Sequence, residues 1–115
     1  MHELSIALNI IQLAEQEATH HGGGIVRAVH LKLGPLAGIV REALESSYEL
    51  ARETSALPRS KLVIEEVPIV VFCANCQAER TLSSIQWFCC PVCNTPTADV
   101  VHGRELEVVA LELED

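Results

Sequence analysis

The chain has 115 residues, nearly half of them apolar, with one Trp, one Tyr and two Phe and a formal net charge of −8. That length admits one compact domain with a small appendage, built on an aliphatic core. The acidity excludes the basic face that nucleic-acid binding requires, and no apolar run approaches the roughly twenty residues of a membrane span, so a soluble cytoplasmic protein is expected.

In chain order, Leu4, Ala7, Leu8, Ile11, Ala14 and Ala18 follow the spacing of a helix face, widened by Ile6, Ile10 and Leu13. Glu3 falls in the first turn, where the helix dipole favours an anion. Gly22, Gly23 and Gly24 should end this helix near His20 and His21. Ile25 to Leu33 then alternates, with Val29, Leu31 and Leu33 on one face and His30 and Lys32 on the other, which predicts a strand with one buried side. Gly34, Pro35 and Gly38 mark a turn. A second amphipathic helix is expected from Ile39 to Ser55, with Val40, Ala43, Leu44, Tyr48 and Ala51 inward, an acid-rich outer face, and Pro58 closing it.

Lys61 to Val67 reads as a second strand and Pro68 to Phe72 as an arm leading into a cysteine-rich stretch. Arg104 to Glu114, carrying Leu106, Val108, Val109, Leu111 and Leu113, is the most convincing strand of all. The fold class expected is α/β: two helices on a small three-stranded mixed sheet, with an inserted zinc-ribbon-like lobe. Residues 1–68 and 99–115 would form the α/β domain and residues 69–98 the lobe, the strand order staying open.

The lobe is defined by Cys73-Ala74-Asn75-Cys76 and Cys90-Pro91-Val92-Cys93. Two C-x-x-C turns facing each other can place four sulfurs at about 2.3 Å around one tetrahedral Zn(II), a closed structural site that would supply folding free energy to a lobe too small for its own core. A redox pair would want one C-x-x-C at a helix start, and structural disulfides would want an oxidising compartment, for which no apolar signal segment is seen. Cys89 is the odd cysteine, read as a small packing residue or a free thiol.

At the other end, Met1-His2-Glu3 offers a terminal amine, the backbone nitrogens of His2 and Glu3, and the His2 imidazole. Small chelate rings of this kind suit planar Ni(II) or Cu(II) and ill suit zinc. Read on these residues alone, a solvated histidine is the competing interpretation. Among the remaining histidines, His20 and His21 suit the end of a helix, His30 the solvated face of a strand, and His102 either a surface position or the surroundings of the cysteine cluster.

Met1-His2-Glu3-Leu4-Ser5, Leu33-Gly34 with the Gly38 turn, the paired cysteines with Cys90-Pro91-Val92-Cys93, and Gly103-Arg104-Glu105-Leu106 together resemble the HypA/HybF family of hydrogenase nickel-incorporation proteins. The resemblance covers essentially the whole chain. It implies nickel binding at the N-terminal motif with His2 as the indispensable ligand, and structural zinc on Cys73, Cys76, Cys90 and Cys93. It also implies delivery of nickel to the large subunit of nickel-iron hydrogenase in company with a nickel-binding GTPase, with urease maturation served in some organisms. The expected state is a monomer or homodimer.

No nucleophile with a neighbouring base and no phosphate-cradling glycine motif stands out, so an enzyme is not expected. A zinc-ribbon interaction module without nickel chemistry and a thiol oxidoreductase are the rival classes. Salt-sensitive binding to nucleic acid would favour the first, and a zinc-free cycling thiol pair the second.

Overall fold

The computed structural model describes residues 3–114. In chain order the elements are helix α1 (Glu3–His20), strand β1 (Ile25–Leu33), a 3-10 turn (Pro35–Ala37) and helix α2 (Arg41–Arg52). There follow strands β2 (Lys61–Glu66), β3 (Ile69–Cys73), β4 (Ala78–Leu82), β5 (Val100–His102) and β6 (Leu106–Glu114). They form a mixed sheet of order β2-β1-β6 and an antiparallel sheet of order β4-β3-β5. Two compact units result. The first gathers the described residues up to Leu31, Ile39–Glu65 and those from Glu107 onward; the second comprises Lys32–Gly38 and Glu66–Leu106.

In the first unit, α1 and α2 lie against each other, and the core joins Ala7, Ile10, Ile11, Ala14 and Ala18 of α1 to Val26, Val29 and Leu31 of β1 and to Leu44, Tyr48 and Ala51 of α2. The expected apolar stripe on α1 proves narrower than its sequence suggests. Leu4, Leu8 and Leu13 stay exposed, because the buried face is centred on the alanines and these leucines fall on its two flanks. The end of α1 is set by its glycines. Gly23 N–H donates to Ala18 O and Gly22 N–H to Thr19 O, with Gly22 at φ +89°, a Schellman closure that needs a left-handed residue there.

Helix α2 is shorter than its pattern suggests, starting at Arg41 and ending at Arg52, well before Pro58. Val40 is extended, at φ −84° and ψ 117°, so its side chain leaves the helical face and is exposed. It offers no capping side chain; instead the Glu3 carboxylate, from the first turn of α1, accepts the Val40 N–H at 3.5 Å. Beyond α2 the chain is pinned by a buried network. Ser60 Oγ donates to Leu57 O at 2.8 Å and therefore accepts the Tyr48 hydroxyl at 2.6 Å, while Arg52 donates to Ser60 O.

Strand β6 joins β1 as an edge, and its apolar residues are unevenly covered: Leu106, Val109 and Leu113 are exposed, whereas Val108 and Leu111 pack on the core. His30 departs from the solvated role expected of it. Its Nε2 lies 2.6 Å from Glu112 Oε2, an ion pair between the two strands when the imidazole is protonated.

In the second unit, the Pro68–Phe72 arm is in fact the central strand of its own sheet, paired to β4 and β5. Its core is small: Ile69, Val71 and Leu82, with Leu36, Phe88 and Val100 partly covered. Gly34 N–H donates to Glu105 O at 2.8 Å and Leu36 N–H to Gly103 O at 2.7 Å. The backbones approach so closely that a Cβ on Gly34 would strike the Gly103 carbonyl.

Candidate metal centre

Each cysteine pair sits in a short turn whose last member hands the chain to a left-handed residue, Gln77 at φ 55° after Cys76 and Asn94 at φ 64° after Cys93. Asparagine tolerates that conformation and is legible as a turn signal; Gln77 is not, and gains a local tie from its Nε2 to Ala74 O at 2.6 Å. Cys73 closes β3 and Ala78 opens β4 opposite it, so the first turn is the connection of an antiparallel hairpin. The second turn is held by Cys90 N–H to Thr95 O and Asn94 N–H to Cys90 O, both at 2.8 Å, with Cys89 bridged to Pro96.

These turns bring the sulfurs of Cys73, Cys76, Cys90 and Cys93 within 4.8 Å of one another, with Cys73 and Cys90 buried. Cys73 Sγ is 3.6 Å from Cys93 Sγ and Cys76 Sγ is 3.9 Å from Cys90 Sγ. Tetrahedral thiolates each about 2.3 Å from one zinc ion would stand about 3.8 Å apart, whereas disulfide sulfurs stand about 2.05 Å apart. All five cysteines are free thiols. The donor set and its spacing therefore fit one tetrahedral thiophilic cation.

The electrostatics of the cluster are uneven. Thr95 Oγ1, 3.1 Å from Cys93 Sγ, and the Asn75 side chain bring the Cys93 thiol down to about 5. The backbone N–H of Cys93 lowers Cys90. Cys76 goes the other way: Arg80 pulls it down, but the neighbouring Cys93 sulfur and burial outweigh that pull and raise it to about 11. Four thiolates so close repel one another, and a divalent cation at their centre is what would let all four ionise.

His102 stands outside this group. Its Nδ1 lies 2.9 Å from Glu105 Oε2, and Glu105 Oε1 accepts the Gly103 N–H at 2.7 Å, so the pair closes the turn ahead of β6. The His102 contact, then the Gly103 N–H, hold the Glu105 carboxyl below its ordinary range. His20 ends α1, and His21 lies 4.0 Å from Glu17. Met1 and His2 lie outside the described residues, whereas Glu3 is the first residue of α1. Sequence reasoning missed Arg80 and Thr95 near the sulfurs, because neither belongs to a spacing motif.

No helix among the described residues is long and apolar enough to cross a membrane. A family model described as hydrogenase/urease nickel incorporation, metallochaperone, hypA matches residues 1–113. The chain is 52% identical over 112 residues to the hydrogenase maturation factor HypA of Chloroflexus aurantiacus, spanning 97% of this chain and 98% of that protein. It is 42% identical over 115 residues to that of Roseiflexus sp., spanning 100% and 94%. Its fold is similar to the solution structure of the Ni metallochaperone HypA from Helicobacter pylori, with a TM-score of 0.69 at 22% identity over 98% of this chain and 97% of that one. With its closely grouped cysteines and a match running almost end to end, the chain belongs to the HypA family of hydrogenase/urease nickel-incorporation metallochaperones, whose members are maturation factors and not catalysts.

Proposed function

We propose that this chain binds Ni(II) through its opening residues and delivers it to the large subunit of nickel-iron hydrogenase during maturation, while Cys73, Cys76, Cys90 and Cys93 hold a permanent structural Zn(II). The observation that carries this reading is a family match that includes the Met1-His2-Glu3 opening. The His2 imidazole, the Met1 amine and the backbone nitrogens of His2 and Glu3 form the nickel ligand set. Glu3 supports it: as the first residue of α1, its N–H has no carbonyl partner within the helix, so that nitrogen can lose its proton to solvent and take a metal ion in its place. Planar nitrogen ligands select nickel, and clustered thiolates retain zinc.

Residues 1–68 and 99–115 would act as the nickel-handling α/β part and residues 69–98 as the zinc lobe. Working partners are a nickel-binding GTPase of hydrogenase maturation and the hydrogenase large subunit, with urease maturation proteins as a further recipient, in the cytoplasm. A loosely held, few-ligand site suits a carrier that must also unload. Because its ligands lose protons on binding, nickel affinity falls as pH drops.

Elemental analysis of the untagged protein before and after nickel loading tests both sites. His2→Ala should abolish stoichiometric nickel binding and leave zinc content and helical signal intact. A residual tag ahead of Met1 should damage nickel binding as well, because it displaces the amine. An unchanged nickel titration in His2→Ala would refute the assignment and leave a zinc-stapled interaction module.

A further inference from the structure

Strand β4 shows exposed Glu79 and Thr81 on one face and Ala78, Arg80 and Leu82 on the other. The register sets Ala78 opposite Cys73, Arg80 opposite Val71 and Leu82 opposite Ile69, and all three β3 partners are buried. Arg80 thus occupies a position on the inward face where an apolar residue is the rule. Its Nε is buried without a hydrogen-bond partner, and the adjoining acid, Glu79, projects from the opposite face. A guanidinium in such a place is costly unless an anion compensates it. Cys73 is its diagonal neighbour on the same face, within reach of a long side chain, and Cys76 and Cys90, one from each turn, are the groups that push the Arg80 pKa up.

We propose that Arg80 is a positioning residue for the tetrathiolate centre, its fixed positive charge spanning Cys76 and Cys90 and slowing the loss of the ion they hold. A Zn(II) bound by four thiolates carries a net charge of −2, which favours protonation and attack at sulfur. One guanidinium shared between the two turns offsets part of that charge and ties the turns together with charge-assisted hydrogen bonds. Lysine, a point charge without a planar fork, reproduces the charge and loses the span. This role rests on Cys73, Cys76, Cys90 and Cys93 holding zinc.

The test is zinc transfer from the full-length, zinc-loaded chain to the chelator 4-(2-pyridylazo)resorcinol. Arg80→Gln and Arg80→Met should transfer zinc about tenfold faster than the parent, the lower end of what outer partners of metal ligands contribute. Arg80→Lys should fall between, and Glu79→Gln, on the opposite face, should match the parent. In Co(II)-substituted protein, loss of the positive charge should move the sulfur-to-metal charge-transfer band to lower energy, a change that lost packing alone would not produce. Parent-like transfer and an unshifted band in Arg80→Gln would overturn the proposal. If that variant does not fold, equal rates for Arg80→Lys and Arg80→Met overturn it instead. A parent chain that purifies without zinc sinks the zinc assignment itself and this role with it, whereas a zinc-loaded parent with unaffected Arg80 variants sinks only the role of Arg80.

Discussion

Tyr48 concentrates several consequences of burial in one side chain. It is almost fully covered, and its hydroxyl is the donor that Ser60 accepts, because Ser60 has already given its own proton to Leu57. Tyr48→Phe removes that donor but leaves Ser60 bonded to Leu57, so a loss of about 1 kcal/mol in chemical denaturation is expected. Burial raises the Tyr48 pKa above its ordinary 10.0, against the opposing influence of Ser60 and Arg52. The unfolded chain therefore ionises first as pH climbs. The contribution of neutral Tyr48 is complete below about pH 10 and declines above it, and the alkaline loss of stability should be shallower in Tyr48→Phe. From sequence, Tyr48 was legible as a core residue of a helix; its partner was not, since Ser60 sits in a turn with no periodicity to mark it.

Among the elements, the close passage of Gly34 over Gly103 is the contact least tolerant of a side chain. A methyl at Gly34 would meet the Gly103 carbonyl and the Arg104 nitrogen, which are backbone and cannot rotate away. Gly34→Ala should cost about 1 to 3 kcal/mol by overpacking, read as a lower denaturation midpoint. In sequence Leu33-Gly34 and Gly103-Arg104-Glu105-Leu106 are separate pieces of a family resemblance; in the structure they share two backbone hydrogen bonds. The helices and the long strands were readable from their periods, although Leu4, Leu8 and Val40 lie outside the faces they seemed to join. Strands β4 and β5 were not readable, because each is short, lies close to turn residues and buries little.

For the whole molecule, the two units differ in what holds them. The first has an extensive aliphatic core, to which both helices belong. The second buries a small cluster, Ile69, Val71 and Leu82, and is correspondingly short of apolar stabilisation. Metal ligation at the four cysteines can add to what so small a core supplies. Stripping the metal from the four-cysteine cluster with a strong chelator should therefore disorder the second unit, seen as exposed thiols and lost amide dispersion, while the far-UV helical signal persists. Retention of both units after metal removal would contradict a metal-dependent second unit.

What the amino-acid order determined unaided was local: helix and strand periods, the glycine stop of α1, and two C-x-x-C turns whose spacing alone points to a tetrahedral ion. The opening Met1-His2-Glu3 motif was equally visible, since the chelate proposed for it uses consecutive residues. The tertiary structure decided the rest: that β6 is an edge, that His30 meets Glu112, that the Gly34 and Gly103 segments touch, and that Arg80 shares a sheet face with Cys73. Such contacts depend on which strands pair and in what register, and a repeating pattern of apolar residues specifies a buried face without naming the neighbour that buries it.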